Sequence, residues 1–241
     1  MQNEELANKR NSEIFLEVFT EIERSLKEIC KDEYTTNFAE LLRKARGLNQ
    51  VVNYYASDLK EFSQLRNAIV HTRRQNFIIA EPHPDVVQEV IHIKNLLQNP
   101  PVVKTVMKLN PYRVSPSASV KEVLTTFAEK GFMRCPVVSN GKIVGLITAK
   151  TIARWLVNSS GIIDNTTVSQ LLNYIDNDDY CIVSENTDIV SLIALFNNSV
   201  RIGAYLQAAL VTLNGKPDSL LVGIITPSDF PSIIGQLKVK H

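Results

Sequence analysis

Two short stretches of this chain are nearly identical: residues 144–148 read Val-Gly-Leu-Ile-Thr and residues 222–226 read Val-Gly-Ile-Ile-Thr, placing Thr148 and Thr226 78 positions apart. A repeat of this period is the mark of one supersecondary unit occurring twice, so the second half of the chain has to be read as two copies that bury a core together. Each stretch is a short apolar run of branched side chains ending in threonine, the pattern of a buried strand. Pro227, Ser228 and Asp229 follow the second copy. Proline suits the first helical position, where its missing N–H costs nothing, so Thr226 is expected at the N-cap and Asp229 at the third helical residue. A hydroxyl and a carboxylate then stand together where a helix begins. Two readings are open: a capping box serving the helix's own N–H groups, or a ribose site in which the carboxylate accepts from a diol and the helix end favours an anion. Gly223, inside the strand, marks a close approach by backbone or ligand.

The rest of each copy follows the same order. In the first, residues 112–114 read as a strand end and residues 119–130 as a helix with Val120, Val123, Leu124 and Phe127 inward. Residues 137–138 and 143–147 form two strands about Asn140-Gly141, a two-residue hairpin signal, and a helix covers residues 149–157. In the second, the strand at residues 180–183 and the helix at residues 188–196 sit 69 positions on (114 to 183), with Phe196 matching Phe127. The offset grows to 78 by the last strand, so nine further residues fall within 201–207 and the turn at 214–218. Neither copy has enough sheet and helix to close a core alone, so the two are expected to pack as a pair.

The first hundred residues carry a different period. Phe15, Leu16, Phe19, Ile22, Leu26 and Ile29 recur at helical spacing, and a second helix is predicted through Phe38, Leu41, Leu42, Ala45, Leu48, Val51, Val52 and Tyr55. A third runs through Leu59, Phe62, Leu65, Ile69 and Val70 behind a cap at Ser57-Asp58, and a fourth over residues 85–97 stops at Asn99-Pro100-Pro101. Within the third helix, Asn67 and His71 lie four apart on one face, and the long Arg66 side chain reaches the same point. These groups either lock neighbouring helices by hydrogen bonds or form a phosphodiester site, with Arg66 on the phosphate and His71 as general base toward a ribose 2′-hydroxyl. Arg73 and Arg74 extend a basic patch or mark a solvated helix end.

Composition narrows the classes. With 241 residues, 44% of them hydrophobic, the chain can bury a sizeable core, and a formal charge of +1 gives no global attraction to nucleic acid or membrane. No apolar run approaches the roughly 18 residues of a membrane span and the N-terminus is too polar for a signal peptide, so a cytoplasmic location is expected. Cys30, Cys135 and Cys181 are far apart, without metal-ligand spacing, and are read as reduced packing residues; no metal site is expected.

Several motifs carry a family resemblance. Residues 102–234 resemble a tandem pair of CBS (cystathionine-β-synthase) domains, on Val106-Met107, Arg134-Cys135-Pro136-Val137-Val138, the run from Gly141 through Gly145 to Thr148, and Gly223-Ile224-Ile225-Thr226-Pro227-Ser228-Asp229. Residues 1–98 resemble HEPN (higher eukaryotes and prokaryotes nucleotide-binding) helical domains, on Arg66, Asn67 and His71. Together they imply an α+β fold in which an N-terminal antiparallel helical bundle (residues 1–99) precedes a CBS pair (100–241). The pair would comprise two β-α-β-β-α units, at residues 102–158 and 165–236.

The CBS resemblance implies a regulatory module that senses an adenosine-containing ligand (AMP, ADP, ATP, S-adenosylmethionine or cyclic di-AMP), needs no cofactor, and forms a homodimer through the pair, with the helical domain a further contact. By the same resemblance Asp229 holds the ribose hydroxyls, Thr226 and Ser228 sit near ribose or phosphate, and Arg134 reaches phosphate or else pairs with Glu129. Thr148 is the counterpart of Thr226 in the first copy. That copy departs from the pattern, with Thr151 where the ribose carboxylate belongs, and residues 201–205 replace the usual arginine-x-proline entry. One good nucleotide site per chain is expected, and Thr151→Asp is expected to supply the missing anchor in the other. The HEPN resemblance implies the alternative, a nucleotide-regulated, metal-independent ribonuclease acting on RNA through Arg66, Asn67 and His71.

Overall fold

The computed structural model describes residues 9–71, 80–159 and 163–237. The chain divides into two compact units, Met1–Pro101 with Leu237–His241, and Val102–Gln236.

The first unit is helical: α1 (Asn11–Cys30), α2 (Phe38–Arg46), α3 (Gln50–Tyr54), α4 (Ala56–His71) and α5 (Pro84–Gln98). Its core is the stripe read from the sequence, with Phe15, Phe19, Ile22 and Leu26 of α1 buried against Leu41, Leu42, Leu59, Phe62, Ile69, Val90 and Ile93. Phe15 and Phe62 meet edge to face at 5.8 Å. The single helix predicted over residues 38–55 is two. Asn49 breaks it: its side chain accepts from the Val52 N–H at 3.1 Å and caps a new helix, and Leu48, predicted inward, is 65% exposed. The third helix also starts earlier than its predicted cap, placing Asp58 in the first turn of α4.

The second unit holds the repeat. A 3-10 turn at Val103–Thr105 leads into β1 (Lys108–Leu109), then α6 (Val120–Lys130), β2 (Arg134–Ser139), β3 (Lys142–Thr148), α7 (Ala149–Asn158) and α8 (Val168–Leu171). The second copy gives β4 (Tyr180–Ser184), α9 (Ile189–Arg201), β5 (Ala208–Thr212), β6 (Leu221–Ile225), a 3-10 turn at Pro227–Asp229, and α10 (Phe230–Leu237). The β2–β3 hairpin turns on Asn140 and Gly141, both at positive φ (50° and 77°), as its sequence requires. The strand expected at residues 112–114 shrinks to a bridge between Val114 and Val137.

One pairing crosses between the copies. β1 precedes the first copy yet joins the sheet of the second, in the order β1-β6-β5-β4, with Lys108 opposite Ile224 and Leu109 opposite Gly223. The segment before it is tied to the same copy through Val103 N–H to Thr187 O (2.8 Å) and Lys104 N–H to Glu185 O (2.9 Å). A shared core completes the pair: Ile143 and Leu146 of the first copy pack with Ala208, Leu210, Leu221 and Ile224 of the second. This joint burial is why a half-sized copy does not have to close a core of its own.

Candidate functional site

The repeated glycines show how the two copies interlock. A Cβ on Gly223 would lie 2.4 Å from Met107 Sδ, 2.8 Å from Met107 Cγ and 3.1 Å from the Lys108 carbonyl, so the strand lead-in of the first copy runs directly over β6. A Cβ on Gly145 would lie 2.4 Å from Ile175 Cδ1, in the lead-in of the second copy. Each glycine makes room for the chain that enters the other copy. Next in sequence to these two residues come Lys108 and Asp176, of opposite charge.

Around Asp229 the expected capping box is present. Asp229 Oδ2 accepts from the Thr226 N–H (2.8 Å) and the Thr226 hydroxyl (2.9 Å), and Thr226 Oγ1 lies 2.8 Å from Ser228 Oγ. Asp229 Oδ1 is engaged from across the copies by Lys108 Nζ at 2.7 Å, where the Asp229 side chain is 13% exposed and that of Lys108 62%. Burial favours the neutral Asp229 carboxyl, but the Lys108 ammonium and the Thr226 donors outweigh it and hold the group below the usual carboxylate range.

Beside this pair opens a cleft of about 550 Å³ lined by Lys108, Leu109, Asn110, Pro111, Tyr112, Gly131, Phe132, Met133, Arg134, Ile224, Thr226 and Ser228. The walls divide by chemistry. Tyr112 and Phe132, with ring centroids 6.0 Å apart, join Met133 and Ile224 in an apolar part, while Lys108, Arg134, Thr226 and Ser228 make the polar part. Arg134, half-buried at the start of β2, donates to the main-chain carbonyl of Gln207, where the sequence had left Glu129 open as a partner. Burial pushes its guanidinium down, against the pull of the Asp229 and Asp179 carboxylates.

The first copy holds the same scaffold with the charges exchanged. Thr148 and Thr151 cap each other, their hydroxyls 3.0 Å apart, and each accepts from the other's N–H (3.1 and 3.2 Å). Asp179, from the lead-in of the second copy, places Oδ2 3.5 Å from Thr148 Oγ1. Its Oδ1 is 2.6 Å from Lys150 Nζ, which also reaches Asp176 at 2.9 Å, and Arg154 closes on Asp176 at 3.3 Å. In the second copy the helix start supplies the carboxylate and the lead-in the cation; here the helix start supplies the cation and the lead-in the carboxylates. Asp179 is buried, with Lys150 on one carboxylate oxygen and Thr148 beside the other.

The sequence reading singled out Thr226, Ser228, Asp229 and Arg134, and these lie together; Thr148 sits in the exchanged site. It missed Lys108, Lys150, Asp176 and Asp179. Only the 78-residue register carried a signal for one of them, since it aligns Lys150 with Ser228.

In the helical unit Arg66 is half-buried and Asn67 exposed, joined by Arg66 Nη1 to Asn67 Oδ1 at 3.2 Å. His71 ends α4; its side chain, like Arg73 and Arg74, lies outside the described residues. Among the described residues no cluster of His, Cys, Asp or Glu is placed to hold a metal, and no helix is long and apolar enough to cross a membrane. The three cysteines are unpaired, and burial pushes the Cys135 thiol up to about 12 and that of Cys181 up to about 11.

Comparison with known proteins gives one family match, the CBS domain, over residues 103–158. No curated protein matches the sequence. Similar solved structures include CBSX2 in complex with AMP, at 19% identity and TM-score 0.44, covering 56% of this chain and 97% of that one. CbpB in complex with c-di-AMP is similar at 15% identity and TM-score 0.46, covering 61% and 91%. A CBS domain protein from Streptococcus pneumoniae TIGR4 is similar at 16% identity and TM-score 0.43, covering 56% and 82%. The chain therefore contains a CBS domain, at residues 103–158, within a unit whose two halves repeat one order of strands and helices.

Proposed function

We propose that the second unit is a regulatory module that takes an adenosine-containing ligand in the cleft beside Asp229 and passes its binding to a dimer arrangement, to the helical unit or to a partner. On this reading residues 100–241 form a CBS pair with units at 102–158 and 165–236, following a HEPN-like domain at 1–99, and the chain acts in the cytoplasm as a homodimer. The observation that carries it is the division of the cleft walls. An apolar part with Tyr112, Phe132 and Met133 suits a flat base, and a polar part with Thr226, Ser228 and Arg134, backed by the acceptor-only carboxylate of Asp229, suits a ribose and its phosphate. A cleft of about 550 Å³ is within the range of small-molecule sites. The ion pairs that Lys150 and Arg154 make with Asp176 and Asp179 at the first copy agree with one site per chain. Regulation follows if the ligand binds one arrangement of the protein better than another.

Trp155 is the chain's single tryptophan and is buried in the second unit, so its fluorescence reports the unfolding of that unit. AMP, ADP, ATP, S-adenosylmethionine or cyclic di-AMP at a hundredfold excess over its dissociation constant should stabilise this transition by about 2.7 kcal/mol. Asp229→Ala should weaken binding by roughly ten- to a hundredfold while keeping the fold, because Thr226 still starts the helix. Full binding by Asp229→Ala, or no shift with any of the five compounds, contradicts the reading.

A second reading rests on the hydrogen-bonded Arg66–Asn67 pair, half-buried and exposed in turn: a metal-independent ribonuclease in the helical unit, with His71 as base. Incubation with single-stranded RNA in chelator separates the two. Cleavage that disappears in a stably folded His71→Ala variant supports the ribonuclease, and an inert parent chain removes it.

A further inference from the structure

Asp229 cannot receive a ribose diol as it stands. A carboxylate offers about four lone-pair positions; Oδ2 already takes two donors from Thr226, and Oδ1 takes the Lys108 ammonium, leaving one position for a ligand that brings two donors. Lys108 itself lines the cleft, whereas Asp229 lies behind it. The lysine is the only one of these groups able to move: it is 62% exposed on a flexible four-carbon stem, while Thr226 is fixed by the helix start. A displaced ammonium stays in the cleft, because β1 is held on β6 at Lys108 opposite Ile224. Arg134 lines the same cleft, so Lys108, Arg134 and Asp229 sum to one net positive charge there.

On the basis of the nucleotide reading above, we propose that Lys108 is the specificity-determining residue of this cleft, a resident counter-ion that a ribose diol displaces from Asp229 and that then pairs, with Arg134, to the ligand's phosphate. The class selected is a phosphorylated adenosine. Adenosine displaces the lysine with no anion to receive it, and S-adenosylmethionine brings a cationic sulfonium into a cleft already carrying positive charge; both pay a desolvation or repulsion cost that a phosphate avoids. The first copy supports the assignment by contrast. There Lys150 and Arg154 face the two carboxylates Asp176 and Asp179, two cations against two anions, so no positive charge is in excess.

Calorimetric titration of the full chain with AMP, adenosine and S-adenosylmethionine, for the parent, Lys108→Ala and Asp229→Ala, tests this. The parent should bind AMP at least about tenfold tighter than adenosine. Lys108→Ala should weaken AMP by about tenfold, leave adenosine equal or tighter because Oδ1 is freed, and improve S-adenosylmethionine, so that the preference for phosphate collapses. Added salt should weaken AMP binding in the parent more than in the variant. An unchanged AMP-to-adenosine ratio in Lys108→Ala, whether both ligands weaken together or neither does, overturns the role of Lys108 while the nucleotide reading stands. A parent that binds none of the three and none of ADP, ATP and cyclic di-AMP, or an Asp229→Ala chain that binds all of them normally, overturns the nucleotide reading itself, and a parent that binds adenosine or S-adenosylmethionine as tightly as AMP overturns the role of Lys108.

Discussion

Thr151 and Asp229 occupy the same position of the repeat, 78 residues apart, yet their surroundings give them opposite tolerance for charge. Asp229 is partly exposed and receives Lys108 and two donors from Thr226, so its carboxylate is stabilised where it stands. Thr151 is fully buried, and its hydroxyl partner Thr148 already faces the buried carboxylate of Asp179. The expectation that Thr151→Asp supplies a ribose anchor is therefore corrected: a second carboxylate here meets a like charge and shares the one lysine. We expect Thr151→Asp to destabilise the chain by about 3 kcal/mol and to add no nucleotide affinity. A urea titration followed by Trp155 fluorescence checks this, and an unshifted midpoint with new AMP binding would refute it.

At the scale of the elements, the two lead-in segments do more than connect. β1 is two residues long and does not pair with the β2–β3 sheet of its own copy; it is held by its ladder to β6 and by the absence of a Cβ at Gly223. That contact includes backbone, the Lys108 carbonyl, as well as Met107, whereas the three atoms nearest a Cβ on Gly145 all belong to the Ile175 side chain, whose Cδ1 can turn aside. Gly223→Ala should therefore cost about 1–3 kcal/mol and Gly145→Ala less, and Met107→Ala should recover part of the loss in the first variant but none in the second. Chemical denaturation of the four chains measures the order. Equal costs at both glycines would mean that β1 yields as easily as a side chain does. Because Lys108 rides on β1, a shift of this strand also moves the cation that covers Asp229.

Over the whole molecule, two units have cores of different construction: a helical stripe about Phe15, Phe62 and Ile69 in one, and in the other a cluster about Phe127, Val137 and Trp155 together with the cluster shared by the copies. The near-neutral total charge hides local excess of one sign, which is how a chain at +1 overall can still hold a cationic cleft. A chain of this construction is not expected to unfold in a single two-state step, so a single global melting temperature would blur the ligand's effect. Fluorescence from Trp155 isolates the unit that holds the cleft, and this is why it is the readout chosen for both binding and stability.

The sequence by itself determined everything that depends on neighbours along the chain. The periodicity of α1, the Asn140-Gly141 turn, the capping box of Thr226 and Asp229 and the repeat with its 78-residue register are all local patterns, legible because backbone geometry within a few residues answers to side-chain type. The close approach at Gly223 was also legible, though not that the visitor is Met107 and the Lys108 carbonyl. The break at Asn49 was not read, because the apolar spacing continues through it while the side chain's hydrogen bond to Val52 decides the matter. Only the tertiary structure decided the ion pairs. Lys108 meets Asp229 because β1 crosses to the sheet of the other copy, and Lys150 meets Asp176 and Asp179 because the lead-in of the second copy passes over Gly145 of the first. A lysine on a lead-in strand has no local pattern that names its partner; its role is set by the fold that carries it to the carboxylate.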